Sequence, residues 1–383
     1  MGFTIGSPLA FLRRNLDVFD WPLLLITLAL IAISMLTMAS AAADFPARTE
    51  AHARNLLLSL GLMWLVARIP VPWLSQSALP LYVLGLILLI AVALFGDVSK
   101  GARRWLHLGV VRIQPSEIMK IAMPLMLAWF FAQREGQFRA GDFGWAALLL
   151  FVPLLLIIRQ PDLGTGILVF AAGGFVLFMA GFSYRLIVPV IATAAIGLVL
   201  LWIFGSDWCA PEVHWFVLHD YQKQRVCTLL DPSRDPLGKG FHILQSMIAV
   251  GSGGLWGKGW FEGTQTHLEF IPERTTDFIF AVFGEEWGLL GNLLLVVVYA
   301  AMILRGLAIA RRASTLFERL ASAALILMIF TYAFVNMGMV TGLLPVVGVP
   351  LPLMSYGGTA AVTIGLGLGM VHAAARQRRL VQT

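Results

Sequence analysis

Several short motifs combine basic residues that suit phosphate with carboxylates that can move a proton. The segment 100–105 reads Lys-Gly-Ala-Arg-Arg-Trp and brings Lys100, Arg104 and Trp105 together. Arginine forks and a lysine point charge fit phosphate oxygens, and a tryptophan is typical of the lipid headgroup region. Two interpretations follow: a binding site for the phosphate of a ligand, or a loop that contacts acidic lipid headgroups.

Two further motifs place carboxylates at the ends of apolar runs. Glu117 and Lys120 stand three residues apart, just after Pro115 and Ser116, which suit the start of a helix. That spacing puts both charges on one helix face, where they either pair with each other or face a ligand cavity. Asp162, in a tight Gln-Pro-Asp-Leu-Gly turn, is either a functional carboxylate or the N-cap of the next helix.

Asp277 introduces an apolar run in the segment 272–280, which reads Pro-Glu-Arg-Thr-Thr-Asp-Phe-Ile-Phe. Its two interpretations are again a helix N-cap and a carboxylate held at the membrane surface for chemistry. The preceding stretch adds the basic candidates Arg225 and Lys239. It also contains a glycine-rich segment at 251–259, which lacks the Gly-Lys-Ser/Thr ending of a P-loop. We expect these glycines to permit close backbone approach to a ligand or a re-entrant turn.

Membrane helices are the elements predicted to position these residues. Of the 383 residues, 59% are hydrophobic and only 13% are charged, against roughly 25% charged in a soluble domain. A soluble globular fold is therefore excluded, and nucleic acid is not an expected partner. About ten stretches are apolar and long enough to cross a hydrocarbon layer of roughly 30 Å. They cover residues 21–38, 55–70, 78–95, 115–132, 143–158, 163–181, 186–204, 284–308, 320–343 and 356–374.

The predicted fold is thus all-α: one polytopic membrane domain over residues 1–383, with a long extracytoplasmic loop at about 205–283. With both termini in the cytoplasm, the short inner loops carry about twice as many Lys and Arg residues as the short outer loops. Most of the 21 Asp and Glu residues then lie near the outer face. The last outer loop, 342–358, holds three prolines and four glycines, which predicts ordered, non-helical backbone against the membrane or in a cavity wall.

The two cysteines and seven histidines give weaker signals. Cys209 and Cys227 both fall in or beside the long outer loop. A disulfide and a pair of free thiols both stay open, because pairing depends on geometry. The histidines show no metal-ligand spacing, so we predict no metal cofactor, and dependence on a divalent cation is left open.

Taken together, seven segments resemble the SEDS family (shape, elongation, division and sporulation) in order and separation. Within that family the resemblance is to the rod-shape branch, RodA, rather than to the division branch, FtsW. It covers nearly the whole chain, although residues 206–219 match no family motif. The segments are SKGARRWL, QPSEIMKIA, QPDLGT, DPLGKGFHILQS, GSGGLWGKGW, PERTTDFIFAVFGEE and LLPVVGVPLPLMSYGG.

The resemblance implies a peptidoglycan glycosyltransferase that polymerises lipid II, a disaccharide on undecaprenyl diphosphate, at the outer face of the cytoplasmic (inner) membrane during cell elongation. It places the family's essential aspartate at Asp277, our candidate general base. It also implies a partner, a class B penicillin-binding protein of the elongation machinery. We expect no cofactor. The expected substrate-binding residues are Lys100, Arg104, Trp105, Glu117, Lys120, Asp162, Arg225 and Lys239.

Two other functions share many of these features. A lipid II flippase would also use ionisable residues within spans and broken backbone such as 345–352. However, it should hold charges at mid-depth and on both faces, whereas these acidic motifs gather outside. A non-catalytic scaffold for a penicillin-binding protein would not explain the set Arg104, Glu117 and Asp277. The glycosyltransferase is therefore the favoured interpretation.

Overall fold

The computed structural model describes the backbone of residues 17–99, 102–108, 111–136, 138–210, 213, 220–235, 238–268, 270–271 and 273–381. Within these ranges the chain forms a helical bundle, and a helix lies over each of the ten predicted apolar stretches. Up to the middle of the chain the helices are α1 (Trp21–Ala41), α2 (Pro46–Arg68), α3 (Val71–Phe95), α4 (Pro115–Ala132), α5 (Ala140–Arg159), α6 (Leu163–Met179) and α7 (Tyr184–Trp208). The remainder are α8 (Asp220–Leu230), α9 (Lys239–Ser252), α10 (Thr264–His267), α11 (Ile279–Arg311), α12 (Leu316–Val340) and α13 (Gly358–Val381).

Six of the described helices are long and apolar enough to cross a membrane, namely α1, α3, α5, α11, α12 and the stretch Gly358–Arg376 of α13. Helix α6 is apolar but shorter. The prediction of an all-α, polytopic membrane fold is therefore confirmed. The stretch predicted as one long loop contains α8, α9 and α10, and it is shorter at both ends because α7 reaches Trp208 and α11 begins at Ile279.

A small antiparallel sheet stands where a plain outer loop was predicted between α3 and α4. Its strands β1 (Asp97–Ser99), β2 (Ala102–Leu108) and β3 (Val111–Ile113) lie in that order. The register pairs Trp105 with Asp97, and Leu106 with Ile113. The ladder bonds fix the backbone of β2, so the basic motif is displayed on a rigid strand. Two of the strands have only three residues and give little periodicity in the sequence, which is why the pattern missed the sheet.

Helix α11 is broken at Gly288, where the glycine-rich segment 251–259 packs against it. Gly288 has non-helical angles of φ 64° and ψ −162° inside it, a conformation that favours glycine. At the break the Leu289 N–H donates to the Gly254 carbonyl at 2.9 Å. A Cβ on Gly257 would lie 2.1 Å from the Glu286 carbonyl oxygen. The glycines therefore permit close backbone approach, but the surface they approach is α11, whereas a ligand or a re-entrant turn was predicted from the sequence.

Helix α12 lies at the centre of the bundle. It packs against α4, α6, α11 and α13, and its buried residues include Tyr332 and Asn336, both 0% exposed. Buried polar groups in an apolar setting need partners, so these two side chains indicate where the bundle holds its polar contacts.

Candidate active site

The basic motif and the Asp162 turn meet at one end of the bundle, which we call the site end. Arg104 projects from β2, is half-buried, and donates from Nη2 to the Pro161 carbonyl. Trp105 is half-buried on the same strand. Lys100 lies outside the described residues. The structure therefore places Arg104 beside the residue that precedes Asp162 in the α5–α6 turn.

Asp162 is the N-cap of α6, so the capping interpretation is confirmed. Its Oδ1 accepts from the Thr165 N–H at 3.3 Å. Its Oδ2 accepts from Gln114 Nε2 at 2.9 Å and from Ser116 Oγ at 3.4 Å. The carboxylate is buried and binds the start of α4 as well as the start of α6. It therefore fixes two helix ends at the site.

Glu117 and Lys120 form an ion pair of 2.6 Å on α4, as their spacing predicts. Lys120 Nζ also donates to the Tyr332 hydroxyl on α12 at 2.7 Å. The Thr363 hydroxyl on α13 donates to the other Glu117 oxygen at 3.2 Å. The Lys120 side chain is only 3% exposed and that of Glu117 is 14% exposed. Glu117 is thus the member of the pair that borders open space.

Asp277 lies in a turn that begins at Glu273, just outside α11. The N-cap position of that helix belongs to Phe278, so the N-cap interpretation of Asp277 is wrong. The Asp277 side chain is half-buried. A Cβ built on Gly348 would lie 3.3 Å from Asp277 Oδ2, so the carboxylate lies against Gly348. This arrangement leaves a carboxylate at the rim of the bundle, close to irregular backbone.

Gly348 belongs to residues 341–357 between α12 and α13, which we call the proline-rich loop. Arg225 on α8 donates from Nη1 to the Val346 carbonyl at 2.8 Å. A Cβ on Gly164, two residues after Asp162, would lie 3.0 Å from the Val347 oxygen. The loop therefore contacts Arg225, the start of α6 and the Asp277 carboxylate. It is ordered, non-helical backbone, as the sequence predicts.

Two features of the long outer stretch complete the site end. A disulfide joins Cys209, which follows α7, to Cys227 on α8, and this decides between the two alternatives left open by the sequence. The bond tethers the helix that carries Arg225. Lys239 is the first residue of α9, and its side chain lies outside the described part of the structure. Across the described residues, no group of three His, Cys, Asp or Glu side chains could hold a metal ion.

Sequence analysis missed two residues of the site, both on α12. Tyr332 binds Lys120, and Asn336 donates from Nδ2 to the Asp277 carbonyl at 2.8 Å. The two stand four apart, which places them on one helix face. Their spacing inside an apolar span was visible in the sequence, but their partners Lys120 and Asp277 were not.

Comparison with known proteins identifies the family. The sequence model of the FtsW, RodA and SpoVE family, described as "Cell cycle protein", matches residues 17–380. The chain belongs to this family. It is the SEDS family that the motifs resemble, and relatives of the rod-shape branch match over nearly the whole chain. The chain is 49% identical to peptidoglycan glycosyltransferase MrdB of Escherichia coli K12, over 94% of this chain and 95% of that protein. It is 30% identical to peptidoglycan glycosyltransferase RodA of Treponema pallidum, over 94% and 98%.

Solved structures agree with this assignment. The fold matches the rod shape determining protein RodA of Thermus thermophilus with a TM-score of 0.69 and 29% identity, covering 94% of this chain and 97% of that one. It also matches a chain of a peptidoglycan synthase complex that coordinates polymerization and crosslinking. That match has a TM-score of 0.76 and 34% identity, covering 94% and 98%.

Proposed function

We propose that this membrane protein is a peptidoglycan glycosyltransferase that polymerises lipid II into β-1,4 glycan strands, with Asp277 as the general base. Its relatives in Escherichia coli and Treponema pallidum bear the name peptidoglycan glycosyltransferase. One observation carries the assignment to a site. The half-buried Asp277 carboxylate lies against the same loop to which Arg225 donates, at the end of the bundle that also carries Arg104.

The proposed reaction transfers a glycan to the 4-hydroxyl of an acceptor N-acetylglucosamine. Asp277 accepts the hydroxyl proton as the oxygen attacks C1 of the donor sugar from the face opposite the diphosphate. The new O4–C1 bond forms while the bond from C1 to the diphosphate oxygen breaks, and undecaprenyl diphosphate leaves with the electron pair. Attack from that face converts the α-linked donor into a β linkage.

A single carboxylate suffices for this chemistry. Glycosidases use two, because one of them protonates a sugar oxygen as it leaves. Diphosphate is already a stable anion and needs charge stabilisation instead of a proton. Arginine forks suit its oxygens, and we assign that role to Arg104, assisted by Arg225. Both arginines are among the substrate-binding residues expected from the sequence.

We further propose that the protein works beside a class B penicillin-binding protein in the cytoplasmic membrane, with the site end outward. The match to a chain of a synthase complex that couples polymerization to crosslinking supports such a partner. The excess of basic residues in the short loops at the opposite end of the bundle supports the orientation. Both termini then lie in the cytoplasm.

The test uses the purified full chain with lipid II, with and without a class B penicillin-binding protein, and measures glycan polymer. We expect polymer from the wild type and about a thousandfold less from Asp277→Asn, which keeps the size of the side chain but cannot accept the proton. Glu262→Gln is the matched control, because Glu262 is an exposed carboxylate that precedes Asp277 by 15 residues.

Full activity of folded Asp277→Asn would disprove the assignment of the base. Movement of lipid II across vesicles without any polymer would favour the flippase. Polymer made only by the partner would favour the scaffold.

A further inference from the structure

The turn that carries Asp277 is held through its main chain. Three consecutive carbonyls, those of residues 275, 276 and 277, each accept a hydrogen bond from outside the turn. The donors are the Tyr356 N–H at 2.8 Å, the Ser355 hydroxyl at 2.6 Å and Asn336 Nδ2 at 2.8 Å. Irregular backbone at membrane depth is stable only where protein groups satisfy it, and here all the donors come from α12 and the proline-rich loop.

Asn336 makes the bond closest to the carboxylate. It is 0% exposed, and its Nδ2 donates both to the Asp277 carbonyl and to the Val349 carbonyl, each at 2.8 Å. Because both partners are acceptors, the nitrogen of the amide must face them. One side chain thus joins the Asp277 turn to the residue that follows Gly348, the glycine against which the carboxylate lies.

Ser355 makes the second link with a single hydroxyl. It donates to the Thr276 carbonyl at 2.6 Å and accepts from the Leu351 N–H at 2.7 Å. The hydroxyl therefore donates its hydrogen to the turn and accepts a hydrogen bond from the proline-rich loop. Removing it would leave one buried donor and one acceptor without partners, since Leu351 is 1% exposed.

We propose that Asn336 and Ser355 are positioning residues that hold Asp277 at the distance and angle needed for proton transfer, an inference that rests on the proposed function. The turn is not part of a helix, and Glu273, at its start, has φ 55°. The position of the Asp277 carboxylate therefore depends on how the main chain of the turn is held, and not only on the rotation of its side chain. Displacement of a reacting group by about 1 Å costs on the order of a hundredfold in rate. Asn336 restrains the turn from α12 and Ser355 restrains it from the proline-rich loop.

The experiment measures kcat and KM for lipid II in the purified full chain. We expect Asn336→Asp to lower kcat about a hundredfold with little change in KM, because its carboxylate oxygens would face two carbonyl oxygens and repel them. Ser355→Ala should lower kcat about tenfold, and Ser355→Thr, which keeps the hydroxyl, should restore most of it. The matched control is Thr331→Val on the same helix, since among the described residues that buried hydroxyl bonds within α12, to the Leu327 carbonyl.

Two outcomes would overturn the inference: unchanged kcat in folded Asn336→Asp and Ser355→Ala, or a loss in Ser355→Ala that Ser355→Thr does not restore. If Asn336→Asp fails to fold, the comparison of Ser355→Ala with Ser355→Thr still tests the inference. Amide hydrogen exchange gives a readout that does not depend on catalysis. We expect faster exchange at the Leu351 amide in Ser355→Ala, and at the Thr276 and Phe278 amides in both loss variants.

The two proposals fail differently. If Asp277→Asn is fully active, the base is wrong, and the exchange data alone judge whether the turn is held as described. If Asp277→Asn is inactive while both positioning variants keep full kcat, only the positioning inference falls.

Discussion

The site end is built from two halves that satisfy their polar groups in different ways. The helical half comprises Glu117, Lys120, Tyr332 and Thr363 on three helices, and its side chains satisfy one another. The loop half comprises the Asp277 turn and the proline-rich loop, where side chains satisfy main-chain groups. There the Asp277 carboxylate stays half-buried. Enclosed pairs hold the architecture, whereas the carboxylate proposed as the base lies at the rim of the bundle.

Helix α12 couples the two halves. Tyr332 reaches into the helical half and Asn336, one turn later, into the loop half. A rigid helix between them sets the spacing between the ion pair and the proposed base. The comparison therefore predicts that changes in the helical half reduce stability first, and that changes in the loop half reduce turnover first.

The largest expected effect is in the helical half. Lys120→Met would leave Glu117 beside the enclosed site without its cation. Removing one partner of a buried pair costs about 3–5 kcal/mol, so we expect a large drop in the Tm of the purified protein. The double variant Glu117→Gln/Lys120→Met removes both charges and should recover much of that Tm. Equal Tm values for the single and double variants would contradict this account.

Reduction of the disulfide should affect the loop half alone. The bond spans 18 residues, and loop-closure entropy for that length corresponds to about 3 kcal/mol. We expect reductant to expose α8 to proteolysis and to lower polymerisation several-fold, because α8 presents Arg225 to the proline-rich loop. Reductant should not change the Cys209→Ala/Cys227→Ala variant. The idea fails if reduced and oxidised wild type behave alike in both assays.

Comparing Gly348→Ala with a control glycine separates the effect of a contact with Asp277 from the effect of backbone strain. Gly348 has φ 76° and its new Cβ would press on Asp277 Oδ2 at 3.3 Å, so we expect about tenfold lower kcat. Gly136→Ala is the matched control, since Gly136 has φ 83° and nothing within 4 Å of a Cβ. Both variants should lose similar Tm, and only Gly348→Ala should lose activity. A similar loss of activity in Gly136→Ala would show that the contact between residue 348 and Asp277 is not the cause.

The smallest expected effect concerns the cap at Asp162. Asp162→Ala should lower the free energy of unfolding by about 1 kcal/mol, because α6 loses its N-cap, whereas Asp162→Asn should keep most of it. Thermal unfolding measures both. Ser183→Ala, which removes the exposed N-cap of α7, calibrates the cost of a cap alone. Equal damage from Asn and Ala would show that charge, not capping, is the contribution of Asp162.

Local pattern predicted most of the helices and some of the pairs. Length and hydropathy are read along the chain, so the ten apolar stretches were visible, and the Glu117–Lys120 pair follows from helical spacing. The sheet was not visible, because two of its strands have only three residues and the third, β2, was interpreted as a basic motif. Asn336 was passed over since an isolated amide in an apolar span reveals no partner until the fold supplies one.

Asp162 and Asp277 show which properties the sequence predicts and which depend on the tertiary structure. Both precede apolar runs, and the sequence determined that each is either a cap or a functional carboxylate within a polytopic membrane fold. Only packing shows that Asp162 caps α6 and that Asp277 lies outside α11. Gln114 and Ser116 enclose Asp162 at the start of its helix, whereas Asn336 and Ser355 hold the main chain around Asp277 outside α11. These donors lie about fifty to eighty residues away in the chain, and hydrogen bonds over such separations form only when the bundle assembles.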